Sequence, residues 1–239
     1  MRTTKAGIGA LALMLAFGAA GPAQAGDTQG NFMVRVLGTV VDPASDVKSV
    51  TANGAAIAGA DADVSTEVIP ALTLTYFFDS NWAVELFCCF SRHNIDGKGS
   101  LAGLGEIGDA WIFPPVVTLQ YHFAGLGPVK PYVGAGVQYI HFFSEGTGAN
   151  ALGASKVDID DAFGFALQAG ADISLGDGWY LNADVKKVWL GTDVTWHNTG
   201  LGTVKADVDI DPWIISAGVG YRFNLEDIFG GRRSAAVLK

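Results

Sequence analysis

Large or apolar residues occupy every second position near the C-terminal end of the chain. They are Trp213, Ile215, Ala217, Val219, Tyr221 and Phe223, and small or polar residues stand between them, with Ile214 the exception. Successive side chains of a β-strand point to opposite faces, so this segment predicts a strand with one apolar face. Aromatic residues stand at both ends of the apolar run. A tilted strand of about 8–10 residues spans roughly 20–25 Å. The pattern favours a transmembrane strand whose apolar face contacts lipid.

Similar alternation predicts eight strands, joined by links that are alternately long and short. The predicted strands cover residues 31–41, 63–78, 82–93, 114–123, 130–144, 158–175, 179–196 and 207–223. Short turns on the periplasmic side and longer loops outside are typical of an outer-membrane barrel. The predicted fold class is therefore all-β, an eight-stranded antiparallel up-and-down transmembrane β-barrel. Several strands exceed the ~10 residues that cross a membrane, so the barrel is expected to project beyond it on the loop side.

The first 25 residues have the features of a cleaved signal peptide. Arg2 and Lys5 precede an apolar run, and Ala23-Gln24-Ala25 matches a cleavage site. The alternative, a membrane anchor, fits less well because the run is short for spanning a bilayer. The sequence thus predicts a signal peptide at 1–25, a barrel at 26–223 and a short periplasmic C-terminal tail at 224–239. Export and a barrel together predict the outer membrane of a Gram-negative bacterium.

The net charge argues against one class of partner, and the positions of the two cysteines argue against redox chemistry. Without Arg2 and Lys5 the net charge falls from −9 to −11, which argues against nucleic acid as a partner. Cys88 and Cys89 are neighbours on a predicted strand and point to opposite faces, so a bridge between them would strain the backbone. We expect them to serve as small apolar side chains rather than as a redox pair.

Aromatic side chains collect near the ends of the predicted strands. A soluble sandwich has no reason to gather them there, whereas a lipid interface does. The predicted membrane girdle consists of Trp82, Tyr121, Phe123, Trp179, Trp213, Tyr221 and Phe223.

Seven segments in order resemble the OmpW family of small outer-membrane barrels. They are N-F-M-V-R-V-L-G-T at 31–39, L-T-L-T-Y-F-F at 72–78 followed by N-W-A-V-E-L at 81–86, P-P-V-V-T-L-Q-Y-H-F at 114–123, P-Y-V-G-A-G-V-Q-Y at 131–139, D-A-F-G-F-A-L-Q-A-G at 161–170 and W-Y-L-N-A-D-V-K-K at 179–187. The resemblance implies an eight-stranded monomer with a narrow, partly hydrophobic interior. It also implies passage of small hydrophobic molecules through a side opening in the wall. It implies no catalytic residue and no cofactor.

The C-terminal end departs from the pattern of that family. Such barrels usually end on an aromatic residue, which is the signal that the outer-membrane assembly machinery reads. Here the residues 224–239 follow Phe223.

Charged residues on the inward positions of the strands predict an internal network. The members are Arg35, Glu85, Asp172, Asp184, Lys186 and Arg222, three acids and three bases. An eight-stranded barrel is only wide enough for side chains to fill, and buried charges must pair. We expect a network that plugs the lower lumen; the alternative is a polar conduction path. With a plug in place, an apolar solute must leave sideways.

The link at 100–113 is unusually apolar for an exposed loop. It predicts either a loop that packs on itself or a hydrophobic entrance at the barrel mouth. The candidate contacts of such an entrance are Leu101, Leu104, Ile107, Trp111 and Ile112.

The sequence gives weaker support for a cation site, a metal site or a hydrolase site. Aspartates at 158, 160, 161, 207, 209 and 211 predict solvated strand ends, with calcium or a cation that bridges lipopolysaccharide as the alternative. The four histidines lack metal-ligand spacing, so no metal site is assigned. Ser91 and His93 share a strand face, but no third group for a lipid hydrolase is evident, and the chain is not expected to be an enzyme.

The sequence therefore favours a narrow outer-membrane channel for small hydrophobic molecules, which are released laterally into the membrane. The alternative is a non-transporting surface barrel that acts as an adhesin or receptor through its loops. The expected partners are outer-membrane lipids and lipopolysaccharide, small hydrophobic solutes and the outer-membrane assembly machinery. The barrel is expected to be a monomer that binds no nucleic acid.

Overall fold

A computed structural model describes residues 30–148 and 153–224. The predicted signal peptide and C-terminal tail lie outside the described residues, apart from Asn224. Within the described ranges, no helix is long and apolar enough to cross a membrane.

Sixteen strands and one short 3-10 helix form the described part of the chain. The strands are β1 (Phe32–Asp42), β2 (Asp46–Ala52), β3 (Ala55–Ala56), β4 (Ala60–Val64), β5 (Glu67–Phe77), β6 (Trp82–Cys88), β7 (Ser91–Gly99), β8 (Glu106–Phe113), β9 (Val116–His122), β10 (Val129–Gly146), β11 (Lys156–Ile159), β12 (Ala162–Gly176), β13 (Trp179–Trp189), β14 (Gly191–Thr199), β15 (Gly202–Asp209) and β16 (Trp213–Phe223). The 3-10 helix spans Ala102–Leu104, between β7 and β8.

Eight of these strands close into a ring that we call the lower barrel. Its order is β1, β5, β6, β9, β10, β12, β13 and β16, and β16 pairs with β1. Every pairing in the ring is antiparallel. The predicted eight-stranded antiparallel barrel is therefore confirmed.

The remaining strands continue the wall above the lower barrel, and we call this part the upper barrel. Strands β11, β14, β15, β2 and β3 form one sheet. Strands β4, β7 and β8 form another with the end of β10. The predicted long links were wrong for much of residues 42–62, 94–113 and 197–206, because β2, β8 and β15 lie within them.

The chemistry of the inward face reverses between the two halves of the barrel. In β16 the inward positions include Ser216 and Gly218, and the outward ones are Trp213, Ile215 and Val219. In β15 the inward side chains are Val204, Ala206 and Val208, while Lys205 and Asp207 point outward. The lower wall has an apolar outer face, as lipid requires, whereas the upper wall has a polar outer face and an apolar core.

The predicted membrane girdle lies on the outer surface of the lower barrel. Trp82 packs against Tyr121 with ring centroids 5.1 Å apart, and Tyr121 packs against Phe123 at 5.2 Å. Trp179 and Tyr221 are 5.0 Å apart, and Tyr221 stacks with Phe223 at 6.3 Å. These six rings lie near the short turns.

Trp213 lies at the opposite end of the lower barrel, 5.2 Å from the ammonium group of Lys187. Other outward rings at the same end are Phe90 and Phe113, which stack at 4.9 Å, and Phe165 and Trp189, which stack at 6.0 Å. Outward aliphatic residues such as Val36 and Leu72 lie between the two aromatic levels. The surface thus has the apolar band and paired aromatic belts that suit a bilayer.

Candidate functional site

Five of the predicted interior charges meet in the lumen of the lower barrel, and we call them the ion network. Arg35 lies 2.8 Å from Glu85 and 2.6 Å from Asp172. Lys186 lies 3.2 Å from Glu85 and 2.6 Å from Asp184. All five residues are buried. They come from β1, β6, β12 and β13, so the network crosses the lumen instead of following one seam of the wall.

Neutral side chains complete the hydrogen bonds of the ion network. Gln168 donates to Glu85 at 2.9 Å and to Asp184 at 2.6 Å. Tyr132 donates to Asp184 at 2.9 Å, and Asn182 donates to Asp172 at 2.9 Å. Three carboxylates thus face two cations, and the donors from neutral groups offset part of the excess negative charge.

Arg222 does not join this network, which corrects the sequence prediction. Its Nε donates to the carbonyl of Gly30 at 2.7 Å, and its guanidinium lies 3.9 Å from the ring centroid of Phe77. The residue is one position from the end of β16, too close to the short-turn end to reach the carboxylates. The predicted balance of three acids and three bases becomes three acids and two bases.

An apolar cavity of about 110 Å³ lies directly above the ion network, and we call it the upper cavity. Its wall is formed mainly by aliphatic and aromatic side chains from both sheets of the upper barrel. They include Val50, Ile107, Ala110, Val194, Trp196 and Val204, and Ile140 and Ile214 of the lower barrel also line the cavity. The indole nitrogen of Trp196 donates to the carbonyl of Ile107 at 2.9 Å, so its polar atom is satisfied. The cavity has far more room than the roughly 10–15 Å³ that one water molecule needs.

Four of the five predicted entrance residues line the upper cavity: Leu101, Leu104, Ile107 and Ile112. Trp111 is the exception and corrects the prediction. It precedes the inward-pointing Ile112 on β8, so its side chain points to the outer face, where 41% of it is exposed. The sequence treated 100–113 as a loop, and the alternation that separates these two residues becomes evident only once β8 is recognised.

The wall beside the upper cavity has a break at Cys89 and Phe90, which we call the wall break. The pairing of β5 with β6 stops at Leu72 and Cys88, and backbone hydrogen bonds to β7 begin only with the amide of Ser65, which donates to Asn94. On the other side, β6 pairs with β9 as far as Phe87 and Val116, and pairing resumes at Ser91 and Ile112. Cys89 lines the cavity, whereas Phe90 is 60% exposed on the outer wall.

Prolines on both neighbouring strands explain the wall break. In β5 the amide of Phe77 donates toward β1, to Asn31, and that of Phe78 donates toward β6, to Trp82. The amides of a strand point alternately to its two edges, and Pro70 is an even number of residues from Phe78. The donor that Pro70 lacks is therefore on the edge that faces β6. On the other neighbouring strand, Pro114 lies between β8 and β9 and lacks a donor on the edge that faces β6, the edge on which the amide of His122 donates to Asn81. Without these donors the ladder cannot continue beside Cys89.

Gln138 lies on β10 and faces the upper cavity close to the wall break. Its Nε2 donates to the carbonyl of Pro114 at 3.4 Å. The side-chain oxygen Oε1 is buried and has no hydrogen-bond partner among the described residues.

Ser91 and His93 form a hydrogen-bonded pair above the wall break. Ser91 Oγ lies 3.0 Å from His93 Nε2, and His93 Nδ1 lies 2.7 Å from the carbonyl oxygen of Ser65. The carbonyl accepts from Nδ1, which leaves Nε2 to accept from the hydroxyl. Burial lowers the pKa of His93 below its usual value. The orienting group is thus a neutral carbonyl and not a carboxylate, which sequence reasoning had no means to identify.

Two of the aspartates near the ends of the predicted strands pair with cations on the outside of the upper barrel. The ammonium of Lys156 holds the pKa of Asp158 below its usual value, and His197 also contacts Asp158, at 2.8 Å. Asp209 pairs with Lys48 at 2.8 Å. Across the two described ranges, no three His, Cys, Asp or Glu residues are grouped so that they could hold a metal ion.

A closed eight-stranded barrel with aromatic belts, a charged lower lumen and an apolar upper cavity defines the class of small outer-membrane β-barrel proteins. The family model of the OmpW family matches residues 28–223, so the chain belongs to that family. Relatives of the chain are named outer-membrane proteins, and its location is the outer membrane.

Three comparisons illustrate the family relationship. Outer membrane protein W of Vibrio cholerae is 35% identical over 202 residues, which cover 82% of this chain and 89% of that protein. The dibenzothiophene metabolism operon protein PahQ of Pseudomonas aeruginosa is 34% identical over 172 residues, which cover 72% of this chain and 79% of that protein. The crystal structure of OprG from Pseudomonas aeruginosa has a TM-score of 0.77 and 32% identity, and covers 82% of this chain and 96% of that one.

Proposed function

We propose that this barrel passes small hydrophobic molecules across the outer membrane and releases them sideways through the wall break. The observation that carries the proposal is the order of the features along the barrel axis. An apolar cavity lies above an ion network that crosses the lumen, and the break in the wall lies where the two meet. The operon name of PahQ, a relative, refers to metabolism of dibenzothiophene, an apolar aromatic compound, which supports the same assignment.

The ion network makes a straight axial route unfavourable for an apolar solute. Such a solute would have to separate charged groups that are paired and buried, and an unpaired buried charge costs several kcal/mol. An exit through the wall avoids that cost. It requires only the displacement of residues that have no ladder hydrogen bonds with a neighbour, and Cys89 and Phe90 meet that condition.

The upper barrel supplies the entrance of the proposed route. Leu101, Leu104 and Ile107 line the cavity on the side of the link between β7 and β8. A solute that transfers from water to this surface gains about 25 cal/mol for each Å² of apolar area that it buries. From the cavity it moves past Cys89 into the hydrocarbon, where it gains no further free energy and can diffuse away.

The flux of an apolar probe into liposomes that contain the purified barrel tests this function. Ala110 lies inside the cavity and Trp111 lies on the outer face of the same strand. We expect Ala110→Phe to reduce the flux of naphthalene strongly, because the added ring fills the cavity, while Trp111→Phe leaves the flux unchanged. If wild-type barrels that are shown to be folded do not raise the flux above that of empty liposomes, the surface-barrel alternative replaces the channel.

The lateral exit has a separate test, in which donors are restored beside the wall break. Pro70→Ala combined with Pro114→Ala returns two amide groups to the edges next to Cys89. We expect this variant to bind naphthalene as the wild type does but to release it into the membrane more slowly. Pro131→Ala serves as the matched control, because Pro131 lies at the short-turn end of β10. Equal release rates in all three proteins would argue against a lateral exit.

We infer that the chain has no hydrolase activity. The Ser91–His93 pair lacks a carboxylate on Nδ1, and Ser91 is only 2% exposed. A triad needs a group that stabilises the imidazolium, and a carbonyl does so less well than a carboxylate. Release of fatty acid from outer-membrane lipid that disappears in Ser91→Ala would overturn this inference.

Contacts with the surrounding envelope complete the proposal. The barrel is inferred to act as a monomer, with lipopolysaccharide against the upper aromatic belt and with the outer-membrane assembly machinery as its insertion partner. No cofactor is assigned.

A further inference from the structure

One polar atom on the wall of the upper cavity, the side-chain oxygen of Gln138, has no hydrogen-bond partner among the described residues. Gln138 is 1% exposed, so this oxygen is buried. A buried acceptor without a partner is destabilising, and native proteins contain few of them. Such an atom at the wall of a cavity is best explained by a ligand that donates to it.

The orientation of the Gln138 amide follows from its neighbour. Nε2 lies 3.4 Å from the carbonyl oxygen of Pro114. The opposite orientation would bring two acceptors together, because neither a side-chain carbonyl nor a backbone carbonyl carries a proton. The unpartnered end is therefore the oxygen, and it accepts but does not donate.

The indole, hydroxyl and imidazole donors on the cavity wall are already used by the protein itself. Trp196 donates to Ile107, Thr192 donates to Asp160, and Thr199 donates to the carbonyl of Gly202 at 2.7 Å. His93 uses Nδ1 for the Ser65 carbonyl. An acceptor on a solute thus finds no free donor among these groups, whereas a donor on a solute finds Gln138.

We propose that the upper cavity selects apolar molecules that carry one hydroxyl or N–H group, such as phenols, naphthols and fatty alcohols, and that Gln138 Oε1 accepts their hydrogen bond. This inference rests on the proposed function and specifies the solute. The apolar body fills the space between Ile107, Trp196 and Ile140, while the donor lies at the base of the cavity beside Pro114. Hydrocarbons, ethers and ketones of the same size fit the cavity but leave Oε1 without a partner.

Three matched ligands test the selection: 2-naphthol, 2-methoxynaphthalene and naphthalene. Their binding is measured by equilibrium partition between liposomes that contain the full mature barrel and protein-free liposomes, which corrects for solubility in lipid. We expect wild-type barrel to bind 2-naphthol about 10-fold more tightly than 2-methoxynaphthalene, the factor that one hydrogen bond of ordinary net strength supplies. In Gln138→Leu the ratio is expected to fall to about one, with naphthalene bound at least as well as before.

Thr192→Val is the control, because Thr192 also lines the cavity but its hydroxyl is satisfied by the protein. It is expected to keep the wild-type preference. A shift in electrophoretic mobility on heating verifies that each variant is folded, and Gln138→Met replaces Gln138→Leu if the latter does not fold.

The outcomes separate the two proposals. If naphthalene itself does not bind above the lipid background, the channel function fails. If naphthalene binds but the naphthol preference is absent, or persists in Gln138→Leu and Gln138→Met, the channel function stands and the role of Gln138 is overturned.

Discussion

The guanidinium of Arg35 lies 2.6 Å from the carboxylate of Asp172, although β1 and β12 are not neighbours in the barrel. The contact therefore passes through the lumen and not along the wall. A second arm of the same guanidinium reaches Glu85 at 2.8 Å. Arg35 is fully buried and thus joins three strands from inside, which makes it the central residue of the ion network.

Loss of the Arg35 charge is expected to destabilise the barrel strongly. Arg35→Met leaves Glu85 and Asp172 without their main cation, and breaking a buried pair costs about 3–5 kcal/mol. The control is Lys48→Met, because Lys48 and Asp209 are both partly exposed where they pair at 2.8 Å. That change is expected to cost less than about 1 kcal/mol. Urea unfolding in lipid vesicles measures both, and similar losses in the two variants would contradict a central role for Arg35.

A charge on the outer face of the lower barrel tests which solvent that face contacts. Val36 is 55% exposed near the middle of the apolar band. Val36→Arg is expected to destabilise the folded state by about 2–4 kcal/mol if hydrocarbon surrounds it. Leu201 is similarly exposed, at 51%, but lies in the turn between β14 and β15. Leu201→Arg is expected to change the free energy of unfolding by less than about 0.5 kcal/mol, as is usual for a residue in water. Equal small effects would mean that the face is not in lipid.

Two glycines in the seam between β1 and β16 are expected to respond differently to alanine. A Cβ added at Gly218 would lie 2.0 Å from the carbonyl oxygen of Val36, closer than any real contact. One added at Gly38 meets only the carbonyl of Ala217, at 3.9 Å. Gly218→Ala is therefore expected to cost about 1–3 kcal/mol, while Gly38→Ala is tolerated. The same unfolding assay compares them, and a larger loss at Gly38 would refute the packing argument.

The sequence predicted the lower barrel well, because lipid outside and charge inside produce a clear alternation of apolar and polar residues. It missed β2, β8 and β15, where the environment is reversed. In β15, Val204, Ala206 and Val208 alternate with polar residues as in any strand of a soluble barrel. That signal was present, but the expectation that every apolar face contacts lipid assigned Val204 to Ala206 to a loop and began the last strand only at Asp207.

The candidate site was likewise predicted only in part. Parity along the strands indicated all five members of the ion network, because the side-chain period of a strand extends over its whole length, but it also indicated Arg222, which is not a member. The position of Arg222 along the barrel axis could not be read from parity. Neither the free oxygen of Gln138 nor the contact of His93 with the Ser65 carbonyl was predicted, since each depends on contacts between segments that are distant in the sequence.

The His93 pair is expected to make stability depend on pH above the membrane. Burial lowers the pKa of His93 in the folded state, while the unfolded chain keeps a value near 6.5. Above about 6.5 both states are neutral and the contribution of the pair is complete. As the pH falls below that value the unfolded chain binds a proton that the folded chain does not, so stability is lost down to the folded pKa. His93→Gln removes this group, and the difference in the free energy of unfolding between wild type and variant, measured by urea unfolding, is expected to shrink from pH 7.5 to pH 5. His197→Gln provides the control, because His197 is partly exposed and pairs with Asp158 on the outer wall. A difference between wild type and His93→Gln that stays constant over this range would show that His93 is protonated equally in both states.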